Sequence, residues 1–144
     1  MTAKEYLSKI QGYKQTVQKY SDRIEELYAD ASGLKAIVYD KDRVQVSPEE
    51  RMEKIFIKIE EEAKKYARAR IRYERELHKR IDMIGTLDNP QYIKLLTLRY
   101  VDGLRWEEIA CTMSYSFRHV TRLHGQALAA FTARHKDVLE CPKR

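Results

Sequence analysis

The stretch WEEIACTMSYSFRHVTRLHGQALAAF, residues 106–131, decides how this chain is read. Trp106, Ile109, Ala110 and Met113 fall on one face of a short helix. Ser114, Tyr115 and Ser116 make a three-residue turn, and Ser116 is a side-chain cap for a following helix from Phe117 to about Arg134. Helix, tight turn and capped helix predict a helix-turn-helix. Stepping about 100° per residue from Val120 puts Leu123, His124, Ala127, Leu128 and Phe131 inward. Arg118, Arg122, Gly125 and Ala129 then face out, flanked by His119, Thr121 and Gln126.

Outward from this stretch, Asn89 and Pro90 open a preceding helix with Tyr92, Ile93, Leu95, Leu96, Leu98 and Tyr100 as its apolar face. Asp102-Gly103 supplies the turn after it. The amino-terminal part has a different rhythm. Tyr6, Ile10, Tyr13, Val17, Tyr20, Ile24, Leu27, Ala31 and Leu34 alternate at spacings of four and three, the 3.5-residue repeat of a coiled-coil seam. Thr2 and Glu5 form a capping box at its start, and Gly33 is expected to end it. Ser47, Pro48 and Glu50 start a second long helix, expected to about Ile84, with a seam of Phe56, Ile59, Ala63, Tyr66, Tyr73, Leu77 and Ile84 interrupted by Arg70 and Arg80. Between the two lies a loop in which 36–39 and 43–46 have the composition for a small hairpin or an irregular connection. The expected fold is therefore all-α: a long helical hairpin or coiled coil over residues 1–86, with helices at about 2–33 and 48–84 and a loop at 34–47. A three-helix helix-turn-helix domain over 87–135 and a tail at 136–144 complete it. So many apolar residues on two seams call for pairing, within one chain or in a homodimer.

Charge narrows the partner. The formal net charge is +6, and residues 89–144 carry 9 Lys/Arg against 5 Asp/Glu. No acidic side chain occurs from residue 109 to 136, where Arg118, Arg122, Arg134 and Lys136 sit with His119, His124 and His135. A surface without carboxylates does not repel phosphate, so double-stranded DNA is the expected partner. The candidate DNA-binding residues are Phe117, Arg118, His119, Thr121, Arg122 and Gln126: arginine forks onto guanine, Thr and Gln reach bases or phosphates, and His119 donates to phosphate. A second basic run, Lys64, Lys65, Arg68, Arg70, Arg72, Arg75, Lys79 and Arg80, reads as a solvated helix face, with backbone contact to DNA as the sharper alternative.

Other classes find little support. No Gly-rich phosphate loop or nucleophile triad is present, and His119 and His124, five apart, do not share a helix face as a metal pair needs. No catalytic residue, metal or cofactor is expected. Cys111 and Cys141 lack metal or disulfide spacing. No apolar run is long enough for a membrane span and no signal core opens the chain, so a cytoplasmic location is expected.

The run from Leu98 to Ala110, with Met113 to Ser116, Val120 and Ala127-Leu128, resembles region four of bacterial primary-type sigma factors. Together with the two long helices, Val44 to Pro48 and the 115–128 run, it is similar to small sigma-like proteins of phages and prophages of low-GC Gram-positive bacteria, some of them late-gene transcriptional regulators. The resemblance implies a transcriptional regulator whose DNA-reading residues fall on Phe117, Arg118, Thr121 and Arg122. It also implies a role beside host RNA polymerase as activator or accessory, since a region for melting the −10 element is missing. Two departures matter. Arg105 stands where the family has a capping Ser or Thr, a loss of about 0.5–2 kcal/mol. Phe117 stands at an often polar position, suited to a thymine methyl or a partner. The competing readings are a small-terminase-like DNA binder of phage packaging and a helical protein-interaction module without DNA binding.

Overall fold

The computed structural model describes residues 1–37 and 47–140, which are all-α, about 88% of these described residues being helical. The hairpin considered across 36–46, the seam position Leu34 and Cys141 lie outside what is described of side chains and strands. Among the described residues, six α-helices follow in order: α1 (Ala3–Ile37), α2 (Pro48–Gly85), α3 (Pro90–Leu96), α4 (Trp106–Met113), α5 (Phe117–Arg134) and α6 (Lys136–Glu140), with a π-helical turn at Thr97–Val101. None of the described helices is long and apolar enough to cross a membrane.

The helix starts follow from their caps. Glu5 Oε2 accepts from the Thr2 amide at 2.9 Å and Thr2 Oγ1 accepts from the Glu5 amide at 3.2 Å, a reciprocal box. Ser47 Oγ accepts from the Glu50 amide at 3.2 Å ahead of Pro48. Gly33 does not end α1, which continues to Ile37. An isolated glycine costs a helix only about 1 kcal/mol relative to alanine, too little to stop one with seam contacts along its length.

The chain divides into two compact units, and the border cuts both long helices instead of falling at residue 86. One unit is Tyr13–Arg72; the other joins Met1–Gly12 to Tyr73–Arg144. In the first, α1 and α2 pair antiparallel. The Arg72 guanidinium lies 5.0 Å from the centre of the Tyr13 ring, and Tyr20 is within electrostatic reach of Lys65. Leu27, Ala31 and Ile59 are buried, with Tyr13, Val17, Tyr20, Ile24, Met52, Ile55, Tyr66 and Ala69 half-buried around them. The long helices therefore pair within one chain.

The α1 seam stands as expected from Tyr6 to Ala31, whereas the α2 seam needs correction. One stripe of α2 turned away from solvent runs Met52, Ile55, Ile59, Glu62, Tyr66, Ala69, Tyr73, Glu76, Arg80 and Met83, again at spacings of three and four, and the expected Leu77 and Ile84 are also turned from solvent beside it. Phe56 is 53% exposed and Ala63 is exposed, so neither is a seam position. The polar members disguise the true period, and pairing makes them tolerable. Glu62 accepts from Lys65 at 2.8 Å, and Arg80 meets Glu76 at 2.8 Å. Arg80 is only 2% exposed. Its Nε donates to the Tyr6 carbonyl at 3.1 Å, Nη1 donates to the Glu76 carbonyl at 2.9 Å, and its guanidinium stacks 4.4 Å from the Tyr6 ring centre. A guanidinium with this many partners loses little on leaving water.

The second unit has one continuous core. Ala3, Tyr6 and Leu7 of α1 and Met83 and Ile84 of α2 join Leu95, Leu96, Tyr100, Ile109, Ala110, Val120, Leu123, Ala127, Phe131 and Leu139. The Tyr6 ring is 6.3 Å from that of Phe131, and its hydroxyl donates to Met83 Sδ at 3.3 Å. The first turns of α1 thus belong to the carboxy-terminal core, although their heptad spacing reads as coiled coil. Residues 136–140, expected as tail, form α6, because Leu139 is buried in the same core. His135 separates α5 from α6 and is tied to α2: its Nε2 lies 3.0 Å from both Thr86 Oγ1 and the Met83 carbonyl.

Candidate nucleic-acid interface

The scaffold helix α4 is flanked by the cap residues Arg105 and Ser114, and Ser114, with φ of 56° and ψ of 40°, lies in the left-handed region. The Tyr115 amide then donates back to the Ala110 carbonyl at 3.0 Å, closing the turn. Arg105 has no acceptor atom, so the amides inside α4 lack a side-chain cap from it. Half of a capping box survives: Glu108 Oε2 accepts from the Arg105 amide at 2.7 Å. Glu107 and Glu108 also place negative charge in the first turn, where the helix dipole favours it.

Ser116 caps α5, its Oγ accepting from the His119 amide at 3.2 Å. Ile109, Val120, Ala127 and Phe131 are fully buried, with Ala110, Leu123 and His124 at no more than 9% exposure and Leu128 half-buried. This is the inner face expected from the sequence. It fixes the roll of α5, so its outer face is a fixed surface too. Phe117, Arg118, Thr121, Arg122, Gly125, Gln126 and Ala129 are exposed on it, and His119 is half-buried beside them.

Behind the helix lies a polar knot that the sequence does not announce. His124 Nε2 is 2.9 Å from the Tyr100 hydroxyl, and its ring meets Trp106 edge-on at 4.7 Å. Burial, with Lys4 and Arg99 adding positive potential, pushes the imidazole down to about 4. It is therefore neutral near pH 7 and shares one hydrogen bond with the Tyr100 hydroxyl, with the tautomer setting which of the two donates. Burial likewise raises the Tyr100 phenol. Arg99 stacks 4.5 Å from the Trp106 ring centre and donates to the Leu104 carbonyl at 2.8 Å. The π-helical turn sets this up. The Asp102 amide reaches the Thr97 carbonyl at 3.0 Å, a five-residue step that winds in an extra residue, with Tyr100 buried and Arg99 half-buried beside it. Gly103, at φ +74°, then reverses the chain.

The outer face has its own bonds. Thr121 Oγ1 donates to the Phe117 carbonyl at 2.9 Å, leaving its oxygen as an outward acceptor. Arg122 Nη2 lies 3.1 Å from His119 Nδ1. The Tyr115 ring packs edge-on to His119 with centres 4.5 Å apart, and Gln91 Nε2 donates to the Tyr115 hydroxyl at 2.9 Å. Gln91 and Tyr115 are thus part of the surface, and only their partnership across 24 residues makes them so. Cys111 is exposed on α4 with a free thiol. Comparison with protein-family models, with curated proteins and with solved structures finds no match to this chain.

Proposed function

We propose that this chain is a DNA-binding transcriptional regulator that docks α5 in the major groove, with Phe117, Arg118, Thr121, Arg122 and Gln126 facing the bases and flanking phosphates. One observation carries the reading: the exposed face of a firmly anchored, Ser-capped helix presents two arginines in a stretch, 109–136, without a carboxylate. Arginine offers the fork that recognises guanine, and Phe117 offers an apolar surface for a thymine methyl. The sigma-like resemblance of residues 98–128 supports action beside RNA polymerase, in the cytoplasm. The test is a randomised-site selection with purified protein, followed by titration of the selected duplex. Affinity should fall with salt at a log–log slope of about −0.9 per neutralised phosphate. Arg118→Ala should weaken the selected duplex by about 1–3 kcal/mol and relax preference at one position. Equal affinity of that variant for selected and scrambled duplexes, matched by the parent, removes this face from sequence reading.

A homodimer belongs to the same proposal. Tyr28, Phe56 and Ile57 in the Tyr13–Arg72 unit are each more than half exposed. Large apolar side chains left outside an already paired hairpin favour a second copy. Light scattering should give twice the chain mass, and Phe56→Glu should return it to the single-chain mass.

A further inference from the structure

We infer that His119 is a positioning residue for Arg122, acting as a hydrogen-bond acceptor through Nδ1 instead of donating to a phosphate; this rests on the DNA-reading role proposed for α5. An arginine side chain has five donors and no acceptor. At the 3.1 Å contact between Arg122 Nη2 and His119 Nδ1, the guanidinium therefore donates and Nδ1 accepts. The imidazole is then neutral there, with its proton on Nε2.

The imidazole is itself held. Its edge contact with the Tyr115 ring, at 71° between planes, fixes the ring plane. Gln91 fixes Tyr115 by donating to its hydroxyl. Gln91 sits in the first turn of α3, where its amide donates to the capping Asn89 Oδ1 at 2.9 Å. A relay thus runs from the start of α3, through the turn before α5, to the end of an exposed arginine. Without it, Arg122 must order a long side chain on binding. Ordering one such side chain costs a factor of roughly two to twelve in affinity.

Two amides separate the two roles of the ring. The substitution His119→Asn puts a side-chain oxygen near the place of Nδ1, whereas His119→Gln puts its amide near the place of Nε2. Titrations use the duplex with highest affinity from the randomised-site selection. His119→Ala should weaken binding roughly two- to twelvefold, H119N should restore most of the parental affinity, and H119Q should resemble the alanine variant. In an Arg122→Ala background, His119→Ala should change affinity less than about twofold, because the two act as one unit. Rescue by H119Q but not H119N overturns the inference in favour of a phosphate donor. So does an undiminished His119→Ala effect in the Arg122→Ala background. If the parent selects no duplex at all, the DNA-reading role itself falls and this inference with it. A parent that binds alongside the wrong variant pattern overturns the inference alone.

Discussion

His124 offers the sharpest handle on the carboxy-terminal unit. Its imidazole is held at about 4 against an ordinary 6.5, chiefly by burial. The unfolded chain therefore binds a proton that the folded chain refuses in the window between these values. Stability contributed by neutral His124 is complete above the unfolded value and drains as pH falls toward the folded one. A shift of this size changes stability by roughly 2 kcal/mol between about pH 7 and pH 5. Solvent screening at the partly open edge of the ring brings this to about 1 kcal/mol. Asp and Glu at ordinary values remain largely ionised there, so the window isolates histidine titration. His124→Gln keeps an acceptor for the Tyr100 hydroxyl and removes the titrating ring. Urea unfolding followed by far-UV circular dichroism should show H124Q below the parent at pH 7 by about 1 kcal/mol, reflecting lost contact with Trp106. The two free energies should converge by about pH 5. Parallel pH profiles for parent and variant would refute the claim that the Tyr100–His124–Trp106 knot excludes the proton.

Other substitutions probe the remaining features. Arg80→Ala should cost about 3–5 kcal/mol in urea unfolding, since it removes the buried guanidinium that balances the Glu76 charge; the paired change Arg80→Met with Glu76→Leu should recover most of it. Ser116→Ala should cost about 0.5–2 kcal/mol and loosen the first turn of α5, seen as faster amide exchange at His119. A fragment of residues 87–144 should lack a cooperative thermal transition, because it omits Tyr6, Leu7, Met83 and Ile84 from the core; adding back a peptide of residues 1–12 alone should not restore it without α2.

The inner and outer faces of α5 are legible in sequence for local reasons. Ser116 can cap its helix whatever surrounds it, and the inner face of α5 is a run of apolar residues at helical spacing. Part of the α2 seam escapes because Glu62 and Glu76 are charged, and Arg80, read as an interruption at a seam position, is a buried member of it. Hydropathy marks them as surface, and only their partners make them interior. Phe56 draws the seam toward itself because exposed and buried phenylalanines look alike in sequence. The start of α1 reads as coiled coil for a related reason. A 3.5-residue repeat reveals which side of a helix is covered, not what covers it, and Tyr6 and Leu7 are covered by α5 and its neighbours. The knot behind α5 and the relay to Arg122 depend on pairs 24 residues apart or on a π-helical turn, for which no spacing rule exists. The expected outer residues all lie on one surface, yet His119 turns its facing nitrogen to Arg122, a relation invisible until the rotamers are known.

The use of residues 3–7 to complete the carboxy-terminal core carries a consequence for the order of events during synthesis. These residues leave the ribosome long before Phe131 and Leu139, which share their core. Such long-range closure is entropically costly and slow unless the intervening chain shortens the gap. The hairpin of α1 and α2 does that, by returning the chain to within reach of its own beginning before α3 is made. A nascent chain holding a finished hairpin would have Arg80 and Met83 on Tyr6 but would leave the sides of Tyr6 and Leu7 that α5 and α6 cover open until those helices are made, a waiting surface for chaperones and for premature contacts between neighbouring nascent chains.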